Sequence, residues 1–438
     1  MPHKLDILVV GAGLSGLAAA IQCALSGHSV TVLEGARELA EIGAGLQLTP
    51  NATRLLLNWS VYDTIRDRVC EPIALTVHNY RGKILAHEAE FDANIRRKYE
   101  APFSDCHRVD LQQAMVKRAQ ELGVIVVLNA KVTIVDQGLS TGDRARVTTS
   151  EGQNYDADLI VGADGLWSFC RSAVLGRNDP PLPTGDLAYR IVLKIDQISD
   201  PKLREMVRSP MCRFWAGPDA HVVAYSIRGG DMYNLVLLVP DDLEAGVART
   251  EGNLDEMRDL FEGWDPVLIQ LLGYVDKVDK WKLMHRAEMS SWINAQHNLV
   301  LIGDSCHPML PYLAQGANSS IEDGAVLGLL LAPEHFNSKD ELPSTLQLFQ
   351  QLRKARGELI VKETFKQRED FHLRDGPQQE KRDALMLAQL GKPLQSAFPS
   401  RWTCPEVQPW LYGYNAKIDV KTALQAARQT LRTEKQTS

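Results

Sequence analysis

The sequence predicts an α/β protein, a strand–helix domain on a parallel sheet, interrupted by a β-rich insertion and followed by C-terminal helices. Three observations carry this. The chain opens on an apolar strand, a glycine-rich turn and a helix of small residues. Between about residues 180 and 280, alternating or apolar β-rich runs replace the strand–helix pattern. That pattern returns near residue 299 and leads into a polar, helical tail.

The first element is LDILVV, an apolar run as long as a buried parallel strand. It enters Gly11-Ala12-Gly13-Leu14-Ser15-Gly16, a helical stretch ends at Gly27, and SVTVLE forms a second strand closing on Glu34. This gives G-x-G-x-x-G the context of a Rossmann dinucleotide site, with a strand before, a helix after and an acid about 20 residues on. Gly11 allows the tight turn, Gly13 lets backbone approach a pyrophosphate, and Gly16 lets helix and strand pack closely. The helix start offers unpaired N–H groups to phosphate, and Glu34 can accept from a ribose hydroxyl. The motif does not separate FAD from NAD.

Further strands are expected at 124–128 and 158–163. AYRIVLKI, HVVAYSI and NLVLLV form the β-rich insertion, and NLVLIGD restores the α/β pattern. The expected divisions are 1–175 and 286–375 for the two parts of the nucleotide domain, 176–285 for the β-rich domain, and 376–438 for a C-terminal helical segment. QLFQQLRKARGELIVKETFKQRED is the strongest helical stretch of the tail.

Composition narrows the function. The 438 residues are 45% hydrophobic and 24% charged, as in ordinary globular proteins. A net charge of −7 gives no support to a nucleic-acid partner. No apolar run approaches the roughly 18 residues of a membrane span, and the apolar N-terminus lacks a cleavage signature. The seven cysteines are scattered without C-x-x-C, which suits reduced thiols and a cytoplasmic location. The histidines show no ligand spacing, so no metal site is expected.

Two later segments complete the pattern: DLIVGADG at Asp158–Gly165 and LVLIGDSCHP at Leu299–Pro308. With GAGLSG before them, they point to a flavin held from widely separated parts of one chain. On these motifs the chain resembles the single-component FAD-dependent aromatic hydroxylases, the group A flavoprotein monooxygenases, and within them the salicylate-hydroxylase-like branch with its fungal members. The resemblance spans at least residues 5–335 and makes the two domains a Rossmann-like FAD-binding domain and a β-rich substrate domain. It implies that Asp164, in D-G-x-x-S-x-x-R with Ser168 and Arg171, serves the FAD pyrophosphate and NAD(P)H; an Asp164–Arg171 ion pair with helix capping is the plain structural alternative. It implies that Asp304 meets the ribityl chain, that Pro311 lies near the isoalloxazine, and that Gly316, Ala317 and Asn318 open a helix toward the flavin N1–C2=O edge, where reduced flavin carries its charge. Asn318 is the expected N-cap. Arg108 matches an arginine that contacts FAD, with pairing to Asp110 as the alternative. The loop Glu41–Gly45 matches one lying along the flavin, and Arg37 is expected near the adenosine or its phosphates. His307 is taken as structural.

The reaction implied is reduction of FAD by NADPH or NADH, which dock transiently, followed by O₂ addition at flavin C4a and transfer of the distal oxygen of the C4a-hydroperoxyflavin to a small aromatic substrate. The protein must position the substrate and make it more nucleophilic. His221 and Tyr225, four apart on a strand, share one face with Val223, and they match a His/Tyr pair that relatives hold over the substrate. Arg190 resembles an arginine that fixes acidic or phenolate substrates, which suits bidentate carboxylate binding. A half-buried sheet face is the plain alternative for all three. Salicylate-type decarboxylating hydroxylation, or a flavin oxidase or reductase without oxygen insertion, are the competing activities. A monomer or homodimer is expected.

Overall fold

The computed structural model describes residues 3–39, 44–395 and 398–437, so Glu41, Ile42 and Gly43 of the expected flavin loop lie outside the described residues. The nucleotide domain is a five-stranded parallel sheet in the order Leu299–Leu301, Leu159–Gly162, Asp6–Val10, Ser29–Leu33, Ile125–Val127. Asp6–Val10 sits at its centre, and Ile7 to Val10 are all buried, as a strand covered on both faces requires. One cover is the helix Leu14–Leu25, which crosses the helix Gln315–Leu330 at short range. A Cβ on Gly324 would stand 2.3 Å from the Ala19 nitrogen, and one on Gly328 would stand 2.6 Å from Gln22 Cγ. The small residues that read as a glycine-alanine helix are thus the contact surface between two helices, both of which begin at the cofactor end of the sheet.

The second layer is an eight-stranded sheet in the order Arg249–Glu251, Asp279–His285, Leu182–Lys194, Met232–Pro240, Ala220–Ile227, Met211–Gly217, Ala74–Asn79, Ile84–Ala89. The last two strands belong to the stretch 1–175 that the sequence assigned to the nucleotide domain. Ala74–Asn79 instead pairs in parallel with Met211–Gly217, from Met211 opposite Ala74 to Ala216 opposite Asn79. Parallel pairing across so long a separation leaves no local turn signal, which is why it escapes periodicity. Side chains alternate cleanly across this sheet. Tyr189, Ile191, Val222, Leu235 and Leu237 face helices Pro201–Arg208, Leu254–Asp259 and Pro266–Gly273 in one core. Ala188, Arg190, Val223, Tyr225, Val236 and Leu238 line the opposite side, toward the nucleotide domain.

Two smaller sheets, Val132–Asp136/Ala145–Thr149/Asn154–Ala157 and Gly45–Leu48/Ser104–His107, edge the nucleotide domain. A 30-residue helix, Leu342–Phe371, runs behind Gln315–Leu330, and Pro377–Ala388, Gln408–Tyr412 and Ala416–Thr437 follow. No helix of the described residues is long and apolar enough to cross a membrane.

Candidate active site

A cavity of about 610 Å³ runs between the two layers, from the glycine turn to the face of the large sheet. At its nucleotide end Gly11 adopts φ +104°, and a Cβ there would lie 2.5 Å from the Ala163 oxygen, so only glycine makes this turn. Gly13 lines the cavity with open space where a Cβ would be, so backbone can be approached there. Gly16 does not line it; its Cβ would stand 2.0 Å from the Gly11 oxygen, which makes it a packing residue. The helix Leu14–Leu25 has no side-chain cap and no acid in its first turn, so its N–H groups stay available to an anion. Glu34 lines the cavity with Oε2 accepting from Ala12 N at 2.8 Å and Oε1 from Ala36 N at 2.9 Å. Arg37 is exposed and lies outside the lining.

Asp164 lines the middle of the cavity. It does not pair with Arg171. Its carboxylate accepts from Ser168 Oγ at 2.5 Å and from the backbone of Phe169 at 2.7 Å and Cys170 at 2.9 Å, tying down the start of the helix Phe169–Leu175. Buried Arg171 turns the other way, to Asp179 at 2.7 Å and to the carbonyls of Ala287, Ser305 and Cys306. It therefore fastens the second segment to the third. Arg108, expected to contact FAD, also lines the cavity, and Asp110, its alternative partner, is held by Arg228 at 2.9 Å.

Asp304 opens onto the cavity from a turn otherwise packed within the protein. Desolvation raises its pKa, against the opposing charges of His307 and Arg108. Behind the turn lies a buried charge network. Asp323 accepts from Gly303 N at 2.9 Å, meets His307 Nε2 at 2.6 Å and takes Arg353 Nε at 2.7 Å. Arg353 also reaches Glu322 at 2.8 Å, and Arg356 meets the same carboxylate at 2.8 Å. Burial alone would raise Asp323, but His307 and Arg353 hold it down at about 2. Burial lowers His307, and Asp323 more than reverses this. His307, held by Asp323, thus pins the turn carrying Asp304.

Pro311 begins a short 3-10 turn, and Ala314, at φ +50°, launches the helix Gln315–Leu330, which has no side-chain cap and no acid in its first turn. Gly316 and Ala317 line the cavity at this helix start. Asn318 is not the N-cap; it lies inside the first turn, buried. Its Nδ2 donates to the carbonyls of Ala314 and Gln47 and its Oδ1 accepts from Thr49 N at 2.9 Å. It locks the helix start to the strand Gly45–Leu48 and leaves the first N–H groups uncapped.

On the sheet side Tyr225 and Arg190 line the cavity, with the Arg190 guanidinium 4.7 Å over the Trp281 ring. Desolvation, with the charge of Asp105 next, pushes the Tyr225 phenol well above its usual pKa, so it acts as a neutral hydrogen-bonding group. His221 shares the strand face with Tyr225 but does not line the cavity; its ring packs edge-on against Tyr312 at 4.8 Å. Its Nδ1 meets His372 Nε2 at 2.6 Å, and burial depresses both rings, His372 to about 4. Strand periodicity gives the face of His221 but not how far along that face the cavity extends. Gln47 and Trp402 are among the lining residues that escaped the sequence reading. Gln47 follows the glycine loop by two positions, and Trp402 comes from the C-terminal segment, packed on Phe214 with ring centroids 5.1 Å apart.

Comparison with known proteins agrees with this geometry. The FAD binding domain family matches residues 4–364. The FAD-dependent monooxygenase OpS4 of Beauveria bassiana (strain ARSEF 2860) is 48% identical over 417 residues, covering 94% of this chain and 96% of that protein. The 3-hydroxybenzoate 6-hydroxylase of Polaromonas naphthalenivorans (strain CJ2) is 30% identical, covering 94% of this chain and 97% of its own. Among solved structures, CtdE in complex with FAD and a substrate superposes with a TM-score of 0.81 at 20% identity, over 98% of this chain and 100% of that one. A salicylate hydroxylase substrate complex gives 0.77 at 20% identity, over 96% and 98%. A two-layer fold with a dinucleotide groove opening onto a β-sheet face defines a flavoprotein of the hydroxylase fold. The chain belongs to the FAD binding domain family and is an FAD-dependent monooxygenase of the aromatic-hydroxylase type.

Proposed function

We propose that this protein uses NADH or NADPH and O₂ to hydroxylate a phenolic or aromatic-acid substrate held between the flavin and the large sheet. The observation that supports it best is the continuity of one cavity from Gly13 and Glu34, past Asp304 and the uncapped start of Gln315–Leu330, to Tyr225 and Arg190. The residues present fit FAD: Gly13 leaves room for a diphosphate, and two uncapped helix starts favour anionic groups.

Bound FAD would supply the redox and oxygen chemistry. The chain's own residues do the rest. The N–H groups after Gly13 would hold the diphosphate, Glu34 would accept from the ribose, and Asp304 would accept from the ribityl hydroxyls. The N–H groups at Gly316 and Ala317 favour negative charge on the ring system. Val223, Val236, Leu238, Met309 and Trp402 keep the far end dry. Arg190 draws a carboxylate or phenolate to the sheet, and Tyr225 hydrogen-bonds the substrate oxygen as a neutral phenol. His221, held by His372 outside the cavity, supports the sheet and Tyr312 rather than touching substrate.

Decarboxylating hydroxylation is the second reading, for a substrate that carries a carboxylate ortho to its hydroxyl. The test is oxidation of NADH and NADPH by FAD-loaded protein across phenols and ortho-hydroxybenzoates, with product mass, CO₂ and peroxide followed together. Substrate-stimulated oxidation with a product one oxygen atom heavier is the expected result. Exchange of the carboxyl for hydroxyl with release of CO₂ selects the decarboxylating activity. A flavin that neither nucleotide reduces, with ligands present, overturns the proposal in favour of an oxidase.

A further inference from the structure

The substrate end of the cavity contains a polar pair that the activity above does not use. Gln47 lies on the strand Gly45–Leu48 directly opposite Asp105 on Ser104–His107. The pair is cross-strand, so the two side chains leave the ribbon on the same face. Gln47 Nε2 donates to Asp105 Oδ1 at 2.9 Å and lies 3.3 Å from Cys212 Sγ. Both amide hydrogens are thereby directed into the protein. Among the described residues no donor meets Gln47 Oε1, and Gln47 lines the cavity. Asp105 is 1% exposed and Gln47 5%, so neither is a surface residue with water as its default partner.

The arrangement has a chemical direction. A glutamine amide has one accepting end and one donating end, and its neighbours decide which is presented. Asp105 and Cys212 take the donating end. The main-chain carbonyl of Gln47 is held by Asn318, which also ties it to the helix start beside the flavin site. Nearby, Asn234 lies opposite Tyr225 on the sheet and uses its Oδ1 on Gly45 N at 2.7 Å. The strand carrying Gln47 is therefore fixed at Gly45, at Gln47 and at Thr49, with its one unengaged side-chain acceptor at the cavity.

We propose that Gln47 is a specificity-determining residue: its Oε1 accepts a hydrogen bond from a hydroxyl or N–H on the substrate ring, and Asp105 is the positioning residue that keeps that acceptor facing the cavity. The inference rests on the hydroxylase reading. It assigns the substrate a ring-borne donor, a free phenol or aniline-type N–H, rather than an alkylated oxygen. A buried acceptor left without a partner penalises any ligand lacking the donor, which makes such a site selective.

The test is ligand titration of full-length, FAD-loaded protein, read by the change in flavin absorbance, with matched pairs of phenols and their methyl ethers. Wild type should bind the phenol about tenfold more tightly than the ether, the loss expected for one buried hydrogen bond. Gln47→Met, of similar volume, should abolish that ratio by weakening the phenol alone, with FAD affinity unchanged. Asp105→Asn, which keeps an acceptor for Nε2, should retain the ratio, whereas Asp105→Leu should lose it. An unchanged ratio in Gln47→Met overturns the proposal. So does equal weakening of phenol and ether together with loss of FAD, which would make Gln47 a flavin-site residue. A wild-type ratio near one overturns it without any variant. If no aromatic ligand perturbs the wild-type flavin, the hydroxylase reading itself fails, a result distinct from all of these.

Discussion

The second and third glycines of GAGLSG, Gly13 and Gly16, do different jobs, and an alanine at each should separate them. At Gly13 the backbone has φ −71° and ψ 176°, values any residue adopts, and an added Cβ would meet nothing within 4 Å. Gly13→Ala should therefore fold, costing at most about 1 kcal/mol through the weaker helix cap. The methyl group would occupy the space a diphosphate needs. Displacing one or two charge-assisted backbone contacts, at about 1.5–3 kcal/mol each, weakens FAD binding roughly 10- to 150-fold for the first alone. At Gly16 the same methyl would start 2.0 Å from the Gly11 oxygen and 3.1 Å from Val9 Cγ1. Backbone must move by about an ångström, an overpacking cost of about 1–3 kcal/mol to the protein itself. The assays are thermal denaturation of the apoprotein and FAD titration by flavin fluorescence. Gly13→Ala should leave apoprotein melting nearly unchanged and lose FAD; Gly16→Ala should melt earlier before any FAD is added. The assignment is refuted if Gly13→Ala binds FAD like wild type, or if it lowers apoprotein melting as much as Gly16→Ala.

Other consequences are as direct. Arg353→Met strips the counter-ion from two buried carboxylates and should cost about 3–5 kcal/mol in urea denaturation; a loss below about 1 kcal/mol would mean that His307 and Arg356 suffice. Because His372 has its pKa lowered to about 4 from an unfolded value near 6.5, the unfolded chain takes up the proton first as pH falls. Stability present above about pH 6.5 should therefore decline toward pH 4, and His372→Gln should flatten that limb of the melting-temperature profile. Arg190→Ala should raise KM for carboxylate-bearing substrates about tenfold more than for neutral phenols, and equal effects on both would deny it an anion-binding role. Trp402→Ala removes a wall of the cavity and should raise the peroxide formed per nucleotide oxidised; unchanged coupling would place Trp402 outside the reacting region.

The parts of this site that could be read from the sequence are those where a local backbone shape is itself the function. Gly11, Gly13 and Gly16 are constrained by contacts within one strand–turn–helix unit, and the spacing of G-x-G-x-x-G encodes those contacts. Asp164 and Asp304 follow strand ends in the same way, Pro311 and Gly316 open the turn and the helix after them, and all four line the cavity. What was not legible depends on distance along the chain. The pairing of Ala74–Asn79 with Met211–Gly217 joins segments whose own periodicity is silent about partners. The partner of Arg171 is Asp179, beyond its helix, rather than the acid within the motif. Asn318 has a good capping side chain at a plausible position, but Thr49 and Gln47 compete for it and the helix begins earlier. His221 shares the strand face of Tyr225, yet it packs on Tyr312, from a distant segment of the chain, and does not line the cavity. Gln47 has no signal in its own segment, because its partner Asp105 comes from a strand more than fifty positions on.

The cavity draws its walls from Val10 at one extreme of the chain to Trp402 near the other. Translation therefore delivers the phosphate turn first and the last wall last. A nascent chain that has just emerged through Leu330 has its glycine turn and both helix starts, but neither the helix Leu342–Phe371 that braces Asp323 nor the ring that closes the far end. The phosphate end and the far end of the groove are accordingly made by different stretches of the chain, and retention of the cofactor draws on both.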